Sequence, residues 1–246
     1  MRSSPEARRL LERPLVGRVL TGLLTGRLVA GPGVQDAVRV AGELVSSGRR
    51  VALEHTAAAG DDVAAELATL IGEIHAAGLA AACELTLPAG RLGPGAVGDL
   101  AAAAAAAGLS VAVAGGAVDV PGAALVVRAD EDGAETLCRD HASGRVRLTE
   151  GGSGAAGLAF VRCLNVLMAG NGRPEIAASD RRLIAIAGER AAWNGRTPDS
   201  WEHVMPYGVL TDEQLRLVAG GYTVRVAVPS GRGVAALVAR RLGGRS

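Results

Sequence analysis

The stretch Thr223-Val-Arg-Val-Ala-Val-Pro-Ser-Gly231 and its continuation Val234-Ala-Ala-Leu-Val-Ala-Arg-Arg241 indicate one strand followed by one helix. The first part alternates apolar residues with Thr and Arg and stops at Pro-Ser-Gly, which is typical of a strand that ends in a turn. The second part is rich in Ala, Leu and Val and lacks Pro and Gly. It therefore predicts a helix that ends in two adjacent arginines.

Those two arginines, Arg240 and Arg241, are the first candidate binding residues. Paired guanidinium groups on a helix just past the C-terminal end of a strand can hold a small carboxylate through bidentate hydrogen bonds. Neighbouring helical residues point about 100° apart, so one arginine can face a ligand while the other braces it. The alternative is that both simply lie near a helix C-terminus, where cations are favoured. Spacing alone leaves both interpretations open.

Upstream of this unit, strand and helix patterns alternate along most of the chain. Strands are predicted at 51–55, 81–86, 110–114, 123–128, 145–149, 175–179, 202–206 and 223–228. Helices are predicted at 61–77, 94–107, 134–141, 158–168, 181–194 and 211–219, with two more, 6–24 and 34–46, before the first strand. This order predicts an α/β fold, a (β/α)8 TIM-like barrel with its site at the C-terminal ends of the strands. We divide the chain into an N-terminal helical arm, 1–48, and a barrel, 49–246.

One crossover of this predicted barrel is too short for a helix. Only Gly-Gly-Ala-Val-Asp-Val-Pro-Gly, residues 115–122, separates the third and fourth strands. A parallel βαβ connection takes about a dozen residues or more. We therefore predict that the third crossover helix is missing. The pattern leaves open whether strands three and four are parallel neighbours.

Composition narrows the function classes. The 246 residues carry a net charge of +1, which gives no indication of nucleic-acid binding. All basic residues are arginine, so Schiff-base chemistry on a lysine is excluded. The three cysteines and four histidines show no metal-ligand spacing, so no metal site is expected. The apolar segment 15–30 is interrupted by Arg18 and Arg27, and we expect a cytoplasmic protein without an integral membrane segment.

Several segments in a fixed order carry a resemblance to a known family. They are Arg145-Val-Arg-Leu148, Val161-Arg-Cys-Leu-Asn-Val-Leu-Met-Ala-Gly170, Arg182-Leu-Ile-Ala-Ile-Ala187, Pro198-Asp-Ser-Trp-Glu-His-Val-Met-Pro-Tyr-Gly208, and the final strand, Val-Pro-x-Gly turn and Arg-Arg-Leu helix end. Together they resemble the FAD-dependent proline dehydrogenases, densely over 139–242 and thinly before that. The resemblance implies oxidation of L-proline to pyrroline-5-carboxylate, with FAD as cofactor and a proline-like carboxylate as ligand.

The resemblance also implies roles for individual residues. Arg240 and Arg241 match the pair that holds the substrate carboxylate, while Arg147 and Gly151 match positions that contact the flavin. Many other matched positions depart from the family, and no catalytic residue is assigned. The departures are Glu84 and Glu150 in place of lysines, Leu237 and Ser230 in place of tyrosines, Ala114-Gly-Gly116 in place of Asp-Met-Glu, and Arg128, Ser179 and Val204 in place of Gln, His and Gln.

Two expectations about geometry follow. We expect Glu84, Arg147, Arg240 and Arg241 to gather at the C-terminal face, with Glu84 paired to Arg240 or Arg241. We also expect His55 to be structural, because the sequence shows no carboxylate partner for it.

Three functions remain open at this point. The first is the flavin-dependent oxidation of L-proline. The second is a non-catalytic barrel with an eroded flavin site, which binds a small carboxylate or a protein partner. The third is a decayed remnant without a function of its own. Fold alone does not decide among them.

Overall fold

The structure, a computed structural model, describes residues 28–116, 118–152 and 156–234. Eight parallel strands follow one another around a closed barrel, with β8 pairing back to β1. The strands are β1 (Arg50–His55), β2 (Cys83–Pro88), β3 (Ser110–Ala114), β4 (Ala124–Arg128), β5 (Arg145–Thr149), β6 (Arg173–Ala177), β7 (Glu202–Pro206) and β8 (Val224–Ser230). The predicted (β/α)8 TIM-like barrel is confirmed.

Helices cover the outside of this barrel. They are α1 (Val34–Ser46), α2 (Val63–Ala76), α3 (Pro94–Ala106), α4 (Ala134–Asp140), α5 (Ala156–Ala169), α6 (Arg181–Trp193) and α7 (Thr211–Ala219), with short 3-10 turns at Ala80–Ala82 and Ala89–Arg91. Seven predicted helices are found at these places. The predicted helix 6–24, and all but the first residue of the predicted helix 234–241, lie outside the described residues. No helix among the residues described combines the length and the apolar character that a bilayer span needs.

Strand alternation separates the two faces of the barrel wall. Along β1, Val51 and Leu53 pack outward against a core cluster that includes Leu67 and Leu70 of α2. Ala52 lies between them, is also fully buried, and belongs to the opposite face. A second outer cluster packs β4–β7 against α4–α7. The inward faces of the strands carry both small residues and charged ones, and these charged residues form the candidate site.

The connection between β3 and β4 closes the barrel without a helix. The two strands are parallel neighbours, with Ala112 opposite Ala124 and Val113 opposite Leu125. No helix occurs in the described part of this connection, 115–116 and 118–123. Instead, Val118 and Val120 are partly buried against the core cluster of β1–β3. The predicted loss of the third crossover helix is confirmed, and two valines cover part of the surface that such a helix would protect.

Helix α1, which we predicted as part of a separate arm, packs into the barrel core. Its Val40 and Ala41 are fully buried in the same cluster as the outer face of β1. Just before it, the Ala30 amide donates to the Pro229 carbonyl at 2.9 Å, and the Gly231 amide donates to the Gly31 carbonyl at 2.9 Å. These bonds tie the segment that precedes α1 to the end of β8.

Candidate functional site

Four charged side chains from three strands meet inside the barrel. Arg147 of β5 donates from Nε and NH2 to Glu175 Oε2 of β6, at 2.8 and 2.6 Å, and from NH2 to Glu84 Oε1 of β2. Arg145 of β5 donates to the same two carboxylates, at 2.6 Å to Glu175 and also to Glu84. We call Glu84, Arg145, Arg147 and Glu175 the central ion cluster. Its two cations and two anions balance.

Burial makes this cluster strongly coupled. The side chains of Glu84, Arg147 and Glu175 are at most 2% exposed. Desolvation on its own would raise the pKa of Glu175, but Arg147, Arg225 and Arg145 outweigh it and hold that pKa below its ordinary value. The carboxylate is therefore ionised and paired, which is the condition under which a charge can be kept in a barrel interior.

The guanidinium of Arg147 has little capacity left for a ligand. Nε and NH2 are directed at Glu84 and Glu175, and NH1 donates to Thr86 Oγ1 at 3.2 Å. A guanidinium offers five N–H donors, and four of them face these partners. Because the residue is also only 1% exposed, it does not present an edge to the C-terminal mouth of the barrel.

The structure corrects the expected position of Glu84. It is the second residue of β2, so it lies toward the N-terminal end of that strand and not at the C-terminal face. The predicted position of Glu84 was wrong because β2 begins two residues later than the sequence predicted. Glu84 still reaches Arg147, as expected, although its partners among the described residues are Arg145 and Arg147. Arg240, Arg241 and Leu237 lie outside the described residues.

Glu150, where the family has a lysine, binds the start of α6. It follows β5 at the C-terminal face and accepts from the backbone amides of Ser179 and Asp180, at 2.5 and 3.2 Å. The Ser179 hydroxyl donates to its other oxygen at 3.2 Å. Amides at a helix N-terminus are a natural site for an anion such as a phosphate. Here the chain's own carboxylate occupies it.

Gly151, the other residue assigned to the flavin, faces Asp130. A Cβ added at Gly151 would lie 2.2 Å from Asp130 Cγ. The Gly152 amide donates to Asp130 at 2.9 Å, and Arg128 donates to both oxygens of Asp130 at 3.0 and 3.1 Å. These contacts, led by the Gly152 amide, lower the pKa of Asp130. The lack of a side chain at Gly151 therefore lets Asp130 of the same chain pack closely against it.

His55 has a carboxylate partner that the sequence did not reveal. Its Nε2 lies 2.8 Å from Glu66 Oε2 in α2, and its Nδ1 lies 3.0 Å from the Ser230 hydroxyl at the end of β8. Ser230 is fully buried and His55 is 6% exposed. The eleven-residue separation of His55 and Glu66 fits no local motif, so only the packing of α2 on β1 brings them together. This buried network joins three elements at the C-terminal face.

A cavity of about 400 Å³ lies outside the barrel wall, between the loop after β4 and helix α5. Its lining includes Asp130, Asp132, Glu135, Arg162 and the exposed Leu158. Within the described residues, no group of three or more His, Cys, Asp or Glu side chains is arranged to hold a metal ion.

The described residues do not fit FAD at the positions that the resemblance assigns to it. Arg147 directs four of its five N–H donors at Glu84, Glu175 and Thr86. Glu150 accepts from the two amides that precede α6, and Asp130 lies against Gly151. A flavin nucleotide carries a pyrophosphate, which the Glu150 carboxylate would repel. All three positions are thus filled by interactions within the chain.

No family model matches this sequence, and no curated protein does.

Solved structures do match its fold. Proline utilization A from Bdellovibrio bacteriovorus, inactivated by N-propargylglycine, matches 100% of this chain and 36% of its own length, with 13% identity and a TM-score of 0.80. A mutant of proline utilization A from Bradyrhizobium japonicum matches 97% of this chain and 33% of its own, with 18% identity and a TM-score of 0.71. The protein of the same name from Corynebacterium freiburgense matches 96% of this chain and 32% of its own, with 13% identity and a TM-score of 0.70. The chain spans about a third of the length of these proteins. The likeness establishes the fold, a (β/α)8 barrel similar to part of these proteins.

Proposed function

We propose that this chain is a non-catalytic barrel with a proline dehydrogenase-like fold, which binds a small carboxylate and does not use a flavin. The observation that carries the proposal is the engagement of four of the five N–H donors of Arg147 within the chain. This residue matches a flavin contact of the family, yet its donors point at Glu84, Glu175 and Thr86. The contacts of Glu150 and Gly151 support the same conclusion, because each replaces an interaction with a cofactor by one within the chain.

The proposed ligand is a small carboxylate of the proline type, and the proposed binding residues are Arg240 and Arg241. Their support is the sequence resemblance together with the chemistry of paired guanidinium groups. A balanced net charge of +1 supports a small-molecule ligand over a nucleic acid, and we propose a cytoplasmic location.

Calorimetric titration of the protein with L-proline tests the binding role. We expect saturable binding that the double variant Arg240→Gln, Arg241→Gln abolishes. The matched control is Arg39→Gln, Arg139→Gln, which removes two exposed arginines from surface ion pairs and should leave binding unchanged. Binding that persists in the Arg240/Arg241 variant would overturn the assignment of these residues. A wild-type protein that binds neither L-proline nor a cyclic carboxylate analogue would overturn the carboxylate role.

The second candidate is flavin-dependent oxidation of L-proline to pyrroline-5-carboxylate. The fold likeness to the proline utilization A inactivated by N-propargylglycine favours it. An assay with added FAD, L-proline and a dye as electron acceptor separates the two candidates. The non-catalytic proposal predicts no dye reduction above the rate without proline.

A further inference from the structure

A second group of charges lies at the N-terminal mouth of the barrel, at the opposite end from His55 and Glu150. Glu202, the first residue of β7, is contacted by arginines from three other strands. Arg225 of β8 donates from Nε to Oε2 at 2.8 Å, while Arg50 of β1 and Arg173 of β6 approach Oε1 at 3.1 and 3.5 Å. We call Glu202, Arg50, Arg173 and Arg225 the basal cluster. One carboxylate here serves three guanidinium groups.

The basal cluster carries a surplus of positive charge that the rest of the barrel interior does not cancel. Its neighbour, the central ion cluster, has equal numbers of cations and anions, so Glu84 and Glu175 are already matched by Arg145 and Arg147. The exposed Asp199 also lies within the electrostatic influence of Arg173. Its pKa is lowered first by the hydrogen bond from Thr197 and in smaller part by Arg173. Even with Asp199 included, cations outnumber anions at this mouth.

Two of the three arginine side chains are exposed to solvent at the N-terminal mouth. The side chains of Arg50 and Arg173 are 43% and 44% exposed, whereas Arg225 and Glu202 are each 2% exposed. Within 28–116, 118–152 and 156–234, Arg50 and Arg173 each make a single side-chain hydrogen bond, and both go to the same oxygen of Glu202. The remaining N–H groups of these two guanidinium groups therefore stand beside each other at the mouth.

Shared contact with one oxygen also limits how far apart the two guanidinium groups can be. Charge-assisted hydrogen bonds to an oxyanion are about 2.7–2.9 Å long. A tetrahedral anion bound at the N-terminal mouth, beside Glu202, can contact both guanidinium groups through hydrogen bonds of that length. The buried Arg225 behind them adds to the positive potential and is fixed in place by Glu202 and by the Val51 carbonyl, to which its NH1 donates at 3.2 Å.

We infer that the basal cluster is a binding site for a phosphate-type oxyanion, held by Arg50 and Arg173 at the N-terminal mouth of the barrel. The basal cluster itself, three arginines on one glutamate, has a surplus of two positive charges, which a dianion matches better than a monocarboxylate does. Helix C-termini also face this end and would repel an anion. At the end of α5, however, Arg196 covers the carbonyls of Leu167, Met168 and Gly170 at 3.0, 2.9 and 2.5 Å.

Thermal unfolding of the full chain with increasing inorganic phosphate tests this site. Chloride at matched ionic strength serves as the reference, because phosphate also stabilises proteins by general exclusion from their surface. We expect a saturable increase in Tm of about 2–4 °C over chloride, since a ligand that binds only the folded state stabilises it. Acetate should give a smaller increase.

The variant Arg50→Gln, Arg173→Gln should lose the saturable increase, while Arg39→Gln, Arg139→Gln should keep it. The variant Arg240→Gln, Arg241→Gln should also keep it, which separates this site from the proposed carboxylate site. Calorimetric titration of the wild-type protein with phosphate provides a measurement that does not depend on any variant. No saturable heat, an equal Tm increase in the Arg50/Arg173 variant, or an equal response to acetate would overturn the inference.

Discussion

Glu84 illustrates how a single residue decides the chemistry of the barrel interior. In the family that this sequence resembles, the position carries a lysine; here a buried carboxylate binds Arg145 and Arg147. A buried ion pair is weak evidence for net stability, but removal of one partner leaves an uncompensated charge. Removal of Glu84 should therefore lower the stability of the fold by more than its ion pairs contribute to it.

Replacement of Glu84 by Gln tests this dependence. Gln keeps the volume but leaves two arginines facing Glu175 alone, so we expect the free energy of unfolding to fall by about 3–5 kcal/mol. Chemical denaturation measures it. The control is Glu43→Gln, which breaks an exposed pair with Arg39 and should change stability by about 0.5 kcal/mol or less. Similar losses in both variants would contradict the central ion cluster.

His203 gives the fold a dependence on pH. Burial lowers the pKa of this histidine to about 4, with Glu213 raising it and Arg216 lowering it to smaller extents. Between pH 6.5 and 4, His203 binds a proton in the unfolded chain but stays neutral in the folded chain. The free energy of unfolding should therefore fall as pH falls through that window, by roughly 3 kcal/mol in total from this residue.

The variant His203→Phe keeps an aromatic ring beside Trp201, whose ring centroid lies 4.2 Å away, and removes the titration. Denaturation at several pH values should show a shallower dependence between pH 6.5 and 4 than in the wild type. His141→Asn, at an exposed position, should keep the wild-type slope. An unchanged slope in His203→Phe would show that His203 is not the source.

At the scale of elements, the loop after β5 packs on Asp130 at Gly151, a position that the family resemblance assigns to a cofactor contact. The added methyl of Gly151→Ala would meet Asp130 Cβ and Cγ at 2.4 and 2.2 Å, so we expect a loss of about 1–3 kcal/mol in the free energy of unfolding. Gly152→Ala is the matched control, because nothing lies within 4 Å of its added Cβ. Equal effects of the two substitutions on denaturation midpoints would refute the packing of Asp130 on Gly151.

The short β3–β4 connection makes a second prediction about elements. Val118 and Val120 pack on the core where a crossover helix is missing. Replacing both by Ser should lower the free energy of unfolding by about 1–3 kcal/mol, since the two side chains are only partly buried. Asp119→Ser, at the exposed residue between them, should be nearly neutral. A neutral double variant would mean that the connection does not protect the core.

Element order could be predicted from this sequence, whereas the side-chain partners could not. Period-two alternation locates β5, and it places Arg145 and Arg147 on one face. Their pairing with Glu84 and Glu175 depends on the stagger of β2 against β5 and β6 across the barrel, at sequence separations of 61, 63 and 28 residues. Sequence periodicity carries no information about that stagger. The same holds for His55, whose partner Glu66 is set by helix packing.

On the scale of the whole molecule, charge is organised along the barrel axis. Glu150 and Asp130 are bound by backbone amides at the C-terminal face, the central ion cluster is neutral, and the basal cluster at the N-terminal mouth has a surplus of arginine. Each buried carboxylate and guanidinium described in this interior thus has a partner within the chain. We propose that these internal interactions take the place of contacts with a flavin.

The visible absorption spectrum of the purified full chain, recorded after incubation with excess FAD and dialysis, tests this claim most directly. We expect no flavin absorbance in the visible region, because Arg147, Glu150 and Gly151 already contact other parts of the chain. A yellow protein that retains stoichiometric FAD through dialysis would contradict the account, and would favour the flavin-dependent enzyme.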